Sequence, residues 1–88
     1  MQTVIYKYDV LPSFSLLLPA GANVLTVQIQ DDTPKVWVAQ SRAAGVEVGE
    51  RHFRCYGTGH PFDLEGKRYI GTFQQQEFVW HLFEVVNA

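Results

Sequence analysis

The apolar pattern of this chain predicts an all-β domain, a small antiparallel sandwich or partly closed barrel of about seven short strands. Three observations predict it. Apolar and polar residues alternate with a period of two along most of the sequence. No ten-residue stretch carries the apolar stripe of an amphipathic helix. Gly, Pro, Asn and Asp punctuate the chain at short intervals and leave segments of strand length between them. With 47% of its 88 residues hydrophobic, one sheet alone would leave half of that side-chain surface wet, so the strands must close around one core and residues 1–88 form a single domain.

Each element follows from its own residues. Residues 3–10 place Val4, Tyr6, Tyr8 and Val10 on one side, and Pro12 ends the run. Residues 13–18 repeat the pattern with Phe14, Leu16 and Leu18, and Pro19-Ala20-Gly21-Ala22 makes the next turn. Residues 23–30 set Leu25, Val27 and Ile29 against Thr26, Gln28 and Gln30. The polar turn Asp31-Asp32-Thr33-Pro34 joins them to residues 35–41 as a hairpin. Residues 42–49 read as a loop, because two glycines and two valines in eight residues oppose a helix. Residues 50–56 direct Phe53 and Cys55 inward and His52, Arg54 and Tyr56 outward. The longest connection follows, from Gly57 to Arg68, and residues 69–73 and 77–86 form the last strands around Gln74, Gln75 and Gln76.

The last strand carries apolar residues on both faces: Phe78, Trp80, Leu82, Glu84 and Val86 on one, and Val79, His81, Phe83 and Val85 on the other. A chain this short has one core to offer. The second face is therefore expected in a homo-oligomer interface of aromatic character involving Trp37, Phe78, Trp80, His81 and Phe83, or else the strand bends and lends each half to one core.

Composition excludes several classes. A single cysteine rules out an internal disulfide framework, and a reducing cytoplasmic setting suits it. The apolar runs are too short for a membrane span, and Gln2 and Thr3 open the chain without a targeting pattern. A net charge of -2 gives no general attraction to duplex nucleic acid or an anionic bilayer.

Chemistry concentrates in Gly57-Thr58-Gly59-His60-Pro61. Glycines flanking a threonine let successive amides turn toward one point and cradle an anion, with Thr58 and His60 as further donors. From Arg51 to Gly71 four basic residues stand against two acids, so Arg54 and Arg68 join the candidate set for an anionic or nucleotide ligand. The plain alternative is a turn, since no lysine, helix start or downstream acid completes a nucleotide fingerprint. His52, His60 and His81 occupy separate elements without metal-ligand spacing, so no metal or other cofactor is expected. His81 reads as a hydrogen-bonded histidine at an interface or in a wet core. Cys55 beside Phe53 reads as a structural thiol whose apolar setting opposes the thiolate. Glu77 with Glu84, and Asp63 with Glu65, make no catalytic acid pair. Tyr56, Tyr69 and Trp37 near Arg51, Arg54, Lys67 and Arg68 could stack nucleobases, or could simply cover a small core.

A set of short segments resembles a known family: Ile5-Tyr6-Lys7-Tyr8, Pro19-Ala20-Gly21-Ala22, Leu25-Thr26-Val27-Gln28-Ile29-Gln30, Val36-Trp37-Val38, Gly57-Thr58-Gly59-His60-Pro61, Tyr69-Ile70-Gly71-Thr72-Phe73 and Phe78-Val79-Trp80-His81-Leu82-Phe83-Glu84. Their ordered combination is similar to small uncharacterised single-domain proteins found in bacteriophages and prophage-bearing bacteria. The resemblance implies a stand-alone domain without an accepted activity, working in the host cytoplasm as an accessory factor. The functional expectation is a noncatalytic accessory or interaction protein that meets itself or a host protein. The alternative is a small-molecule binder that holds an anionic ligand, such as a host signalling nucleotide, at Gly57–His60.

Overall fold

Period-two alternation becomes seven strands in the computed structural model of the chain, which describes residues 2–86. They are β1 (Thr3–Asp9), β2 (Ser13–Pro19), β3 (Asn23–Gln30), β4 (Thr33–Ser41), β5 (Val48–Gly57), β6 (Lys67–Gln75) and β7 (Phe78–Val85). They make two antiparallel sheets, ordered β1-β4-β3 and β2-β5-β7-β6. The chain passes between the sheets after β1, β2 and β4, which puts one core between them. Val36, Val38, Phe53, Leu18 and Leu82 are its most buried members, and Phe14 stacks on Phe53 at 5.0 Å.

Of the two architectures expected, the sandwich is the one formed, without closure into a barrel. Strands β3 and β6 run close together along one side but share no ladder. Gly71 permits that approach. A Cβ there would stand 2.8 Å from Cγ1 of Val27.

The expected phase of β3 is corrected. A bulge between Val24 and Thr26 adds a residue opposite Trp37 and turns Leu25 outward, so Val24 and Val27 face the core; Ile29 stays on the side of Val27, opposite Pro34, and is exposed near the strand end. Both hairpin turns are also shorter than their polar residues suggest. Asp31 and Asp32, with φ of 51° and 63°, form a two-residue turn whose twist suits the hairpin, and Pro34 lies buried inside β4. Between β6 and β7 the turn is Gln76-Glu77, since Gln74 and Gln75 pair with Val79 and Phe78.

Register also decides which end of the sandwich each connection occupies. The β1–β2 passage, both hairpin turns and the start of the β5–β6 connection meet at one end, called here the hairpin end. Strands β5 and β6 both begin at the other end. The connection Thr58–Gly66 must therefore travel back over the outer face of the second sheet, across β7.

Candidate functional site

In the Gly57–His60 loop, expected as an anion cradle, hydrogen-bonding groups are engaged within the chain. The Thr58 amide donates to the Val79 carbonyl and the His60 amide to the Gly57 carbonyl, both at 3.1 Å, so two of the three amides are spent within the chain. The side chains also diverge. Thr58 bonds to His81 on the outer face of the sheet, whereas the His60 ring folds to the side of Trp80, with Nδ1 only 2.9 Å from where a Gly57 Cβ would lie. Arg54 lies over the Tyr56 ring at 5.7 Å. Arg68 is at the opposite end, with Nη1 3.9 Å from Glu84. The charge run from Arg51 to Gly71 misleads for a topological reason: Arg51, Lys67 and Arg68 open β5 and β6, which start far from this loop.

The outer face of the second sheet accounts for the other side of β7. Tyr56, Phe62, Tyr69 and Phe83 form one aromatic cluster, with Phe62 stacked on Tyr56 at 4.1 Å and lying 5.2 Å from Phe83. Phe83, expected at an interface, is only 6% exposed because Phe62 comes down on it from the returning loop. His81 is likewise engaged inside the chain. Its Nε2 meets the Thr58 hydroxyl at 2.7 Å and its Nδ1 the Thr72 hydroxyl at 2.9 Å, and Tyr69 bonds in turn to Thr72. A lone aromatic in the polar stretch 57–68 was the available signal for the Phe62 cover, but nothing in spacing marks Thr72 as the second partner of His81.

Of the other interface candidates, Phe78 and Trp80 border an open cleft of about 450 Å³ at the hairpin end, together with Gly57, Thr58, His60 and Glu77. Phe78 is 56% exposed, whereas Trp80 packs partly against the core. Thus one part of the candidate loop and one part of the candidate strand do converge. Glu77, and not an arginine, supplies the charge there.

Trp37 lies on the outer face of the first sheet. Register sets it beside Lys7 and Thr26, next to the Ile5–Ala39 pair and the bulged Leu25. Ile5 is 59% exposed and Leu25 is exposed, giving a three-stranded sheet an apolar centre on the side away from its core. Lys7 lies over the Trp37 ring at 5.7 Å, and the Trp37 indole Nε1 is buried without a hydrogen-bond partner. The bulge is what adds Leu25 to this patch.

Arg51 and Glu84 form a pair that alternation alone did not reveal. Arg51 donates to both Glu84 oxygens, at 2.6 and 2.8 Å, and to the Ala22 carbonyl at 2.6 Å, tying the second sheet to the β2–β3 turn. The hydrogen bonds to Glu84 hold the guanidinium above its ordinary range. A carboxylate sharing a strand face with Leu82 and Trp80 was the sequence signal for a buried cation partner. Cys55 borders a separate apolar cavity of about 110 Å³, and burial pushes its thiol up to about 11. Among the described residues no group of three or more His, Cys, Asp or Glu converges as metal ligands would.

No curated protein and no solved structure matches the chain. The family described as Domain of unknown function (DUF7352) matches residues 1–88, and the chain belongs to that family.

Proposed function

We propose that this is a noncatalytic interaction protein that self-associates through the outer face of the β1-β4-β3 sheet. The observation that carries the reading is surface. The chain exposes 5989 Å², whereas a compact monomer of its 10.0 kDa exposes about 5,200 Å². The excess, about 790 Å², is close to the roughly 800 Å² each partner contributes to a standard protein interface. Ile5, Leu25, Trp37 and Ala39 supply an apolar centre for it, with Lys7 and Gln28 at its border. The apolar-centre, polar-rim arrangement is that of association surfaces.

Two features favour a noncatalytic role. Cys55 is held as a thiol, and both ring nitrogens of His81 are occupied by threonine hydroxyls. The accessory role in a host cytoplasm, implied by the family resemblance, is part of the same proposal, since a self-associating domain can act by contact alone. Neither the committed amides nor the distant Arg68 favours the anionic or nucleotide alternative at Gly57–His60.

Dilution followed by amide and indole NMR tests the reading. Resonances of Ile5, Leu25 and the Trp37 indole are expected to shift together with concentration, while those of Phe83 and His81 stay fixed. Concentration-dependent shifts confined to the Phe83 face would contradict it.

A further inference from the structure

The hairpin end carries four of the chain's nine acidic residues. Asp9, Asp31, Asp32 and Glu77 lie there with Lys35, while the Lys7 ammonium reaches Gln30 at the end of β3 and Arg54 stands opposite Ser13 at the start of β2. Asp9 is paired with Lys35. Asp31, Asp32 and Glu77 form no ion pair among the described residues. Of the three, Glu77 lines the cleft with Phe78, Trp80 and His60. The cleft therefore combines exposed aromatic surface with an unneutralised carboxylate, and its volume of about 450 Å³ falls in the range of small-molecule sites.

We propose that this cleft binds a small organic cation, an ammonium or amidinium group carried on an apolar or aromatic body. The body lies against Phe78 and Trp80, where an aromatic face attracts a cation as well as apolar surface. The charge lies toward Glu77. Gly57 lets the His60 ring form part of the wall: without a Cβ it leaves room for that ring, which stands where another residue's side chain would begin. An anion is disfavoured by the same carboxylate and by the committed amides of Thr58 and His60. This site is separate from the outer face of the first sheet and does not depend on self-association there.

The test titrates phenyltrimethylammonium into the intact chain and follows amide and indole NMR, with benzyl alcohol and benzenesulfonate as the neutral and anionic comparisons. Saturable shifts are expected at the Trp80 indole and at the Gly57, Glu77 and Phe78 amides, with the Trp37 indole unmoved. Glu77→Gln, in a turn where it supports no core contact, is expected to weaken the cation about fivefold. The pair Asp31→Asn and Asp32→Asn, in the neighbouring turn, is expected to change it less than about twofold. Three outcomes overturn the proposal: no saturable shift with the cation, benzenesulfonate binding as well as the cation, or an equal loss from the Asp31 and Asp32 substitutions.

Discussion

Burial keeps the Cys55 thiol protonated well past neutrality, because the thiolate would have to form against apolar neighbours with little water. A thiol raised from 9.0 to about 11 exposes roughly a hundredfold less thiolate at pH 8. Iodoacetamide should alkylate the native chain slower than the denatured chain by about that factor, and equal rates would show that the thiol is not shielded. The sign for stability follows from linkage. The folded value lies above the unfolded one, so this contribution is complete below pH 9.0 and is lost as pH rises toward about 11. Cys55→Ala should remove that part of the alkaline decline in a denaturant titration. At Glu84, 4% exposed, the question is one of compensation. Arg51→Ala strands a buried carboxylate and should cost about 3 kcal/mol, while Arg51→Met with Glu84→Leu should stay within about 1 kcal/mol of the native chain. A single substitution that costs less than the double would reverse the assignment of this pair.

Strands and loops differ in how much of their placement could be read beforehand. In β2 and β5 the alternation gives the buried face directly, through Phe14, Leu16, Leu18 and Phe53, whereas in β1 Val4 and Tyr8 are half-buried but Tyr6, expected on the same side, is exposed. In β3 one bulged residue shifts the phase, and no turn residue near Leu25 announces it. The double apolar character of β7 was legible, and so was its position between two covered faces. The cover on its second face was not, since Phe62 reaches Phe83 only through the path of the β5–β6 connection. Phe62→Ala should expose Phe83 and cost about 1–2 kcal/mol, with faster proteolysis within 58–66. An unchanged melt and unchanged cleavage would leave Phe83 covered by something else. Close approach of β3 and β6 gives a sharper test. Gly71→Ala places a methyl against Val27 and should cost about 1–3 kcal/mol, whereas Gly49→Ala, in the same sheet but with open space around it, should cost less than about 0.5 kcal/mol.

The molecule as a whole is a slab, with extents of 42 × 32 × 15 Å. Its radius of gyration of 13.6 Å exceeds the roughly 12 Å of a compact chain of this length. Flatness explains the excess surface: two thin sheets bury one face each and leave the other to solvent or to a partner. That partition was legible from the share of apolar residues, which is more than one small core can hold. Which face stays uncovered was not, because the chain uses its own connection to cover the second sheet and leaves the first bare. Charge shows the same limit, since a basic run in the sequence divides between ends once its strands take their directions. Sedimentation equilibrium tests the central claim most directly, on the native chain and on the Ile5→Glu, Leu25→Glu variant, both of whose sites are exposed. The native chain should approach twice its 10.0 kDa mass with rising concentration, and the variant should remain at one chain mass with an unchanged melt. A native chain that stays at 10.0 kDa at the highest concentrations, or a variant that still pairs, would contradict it.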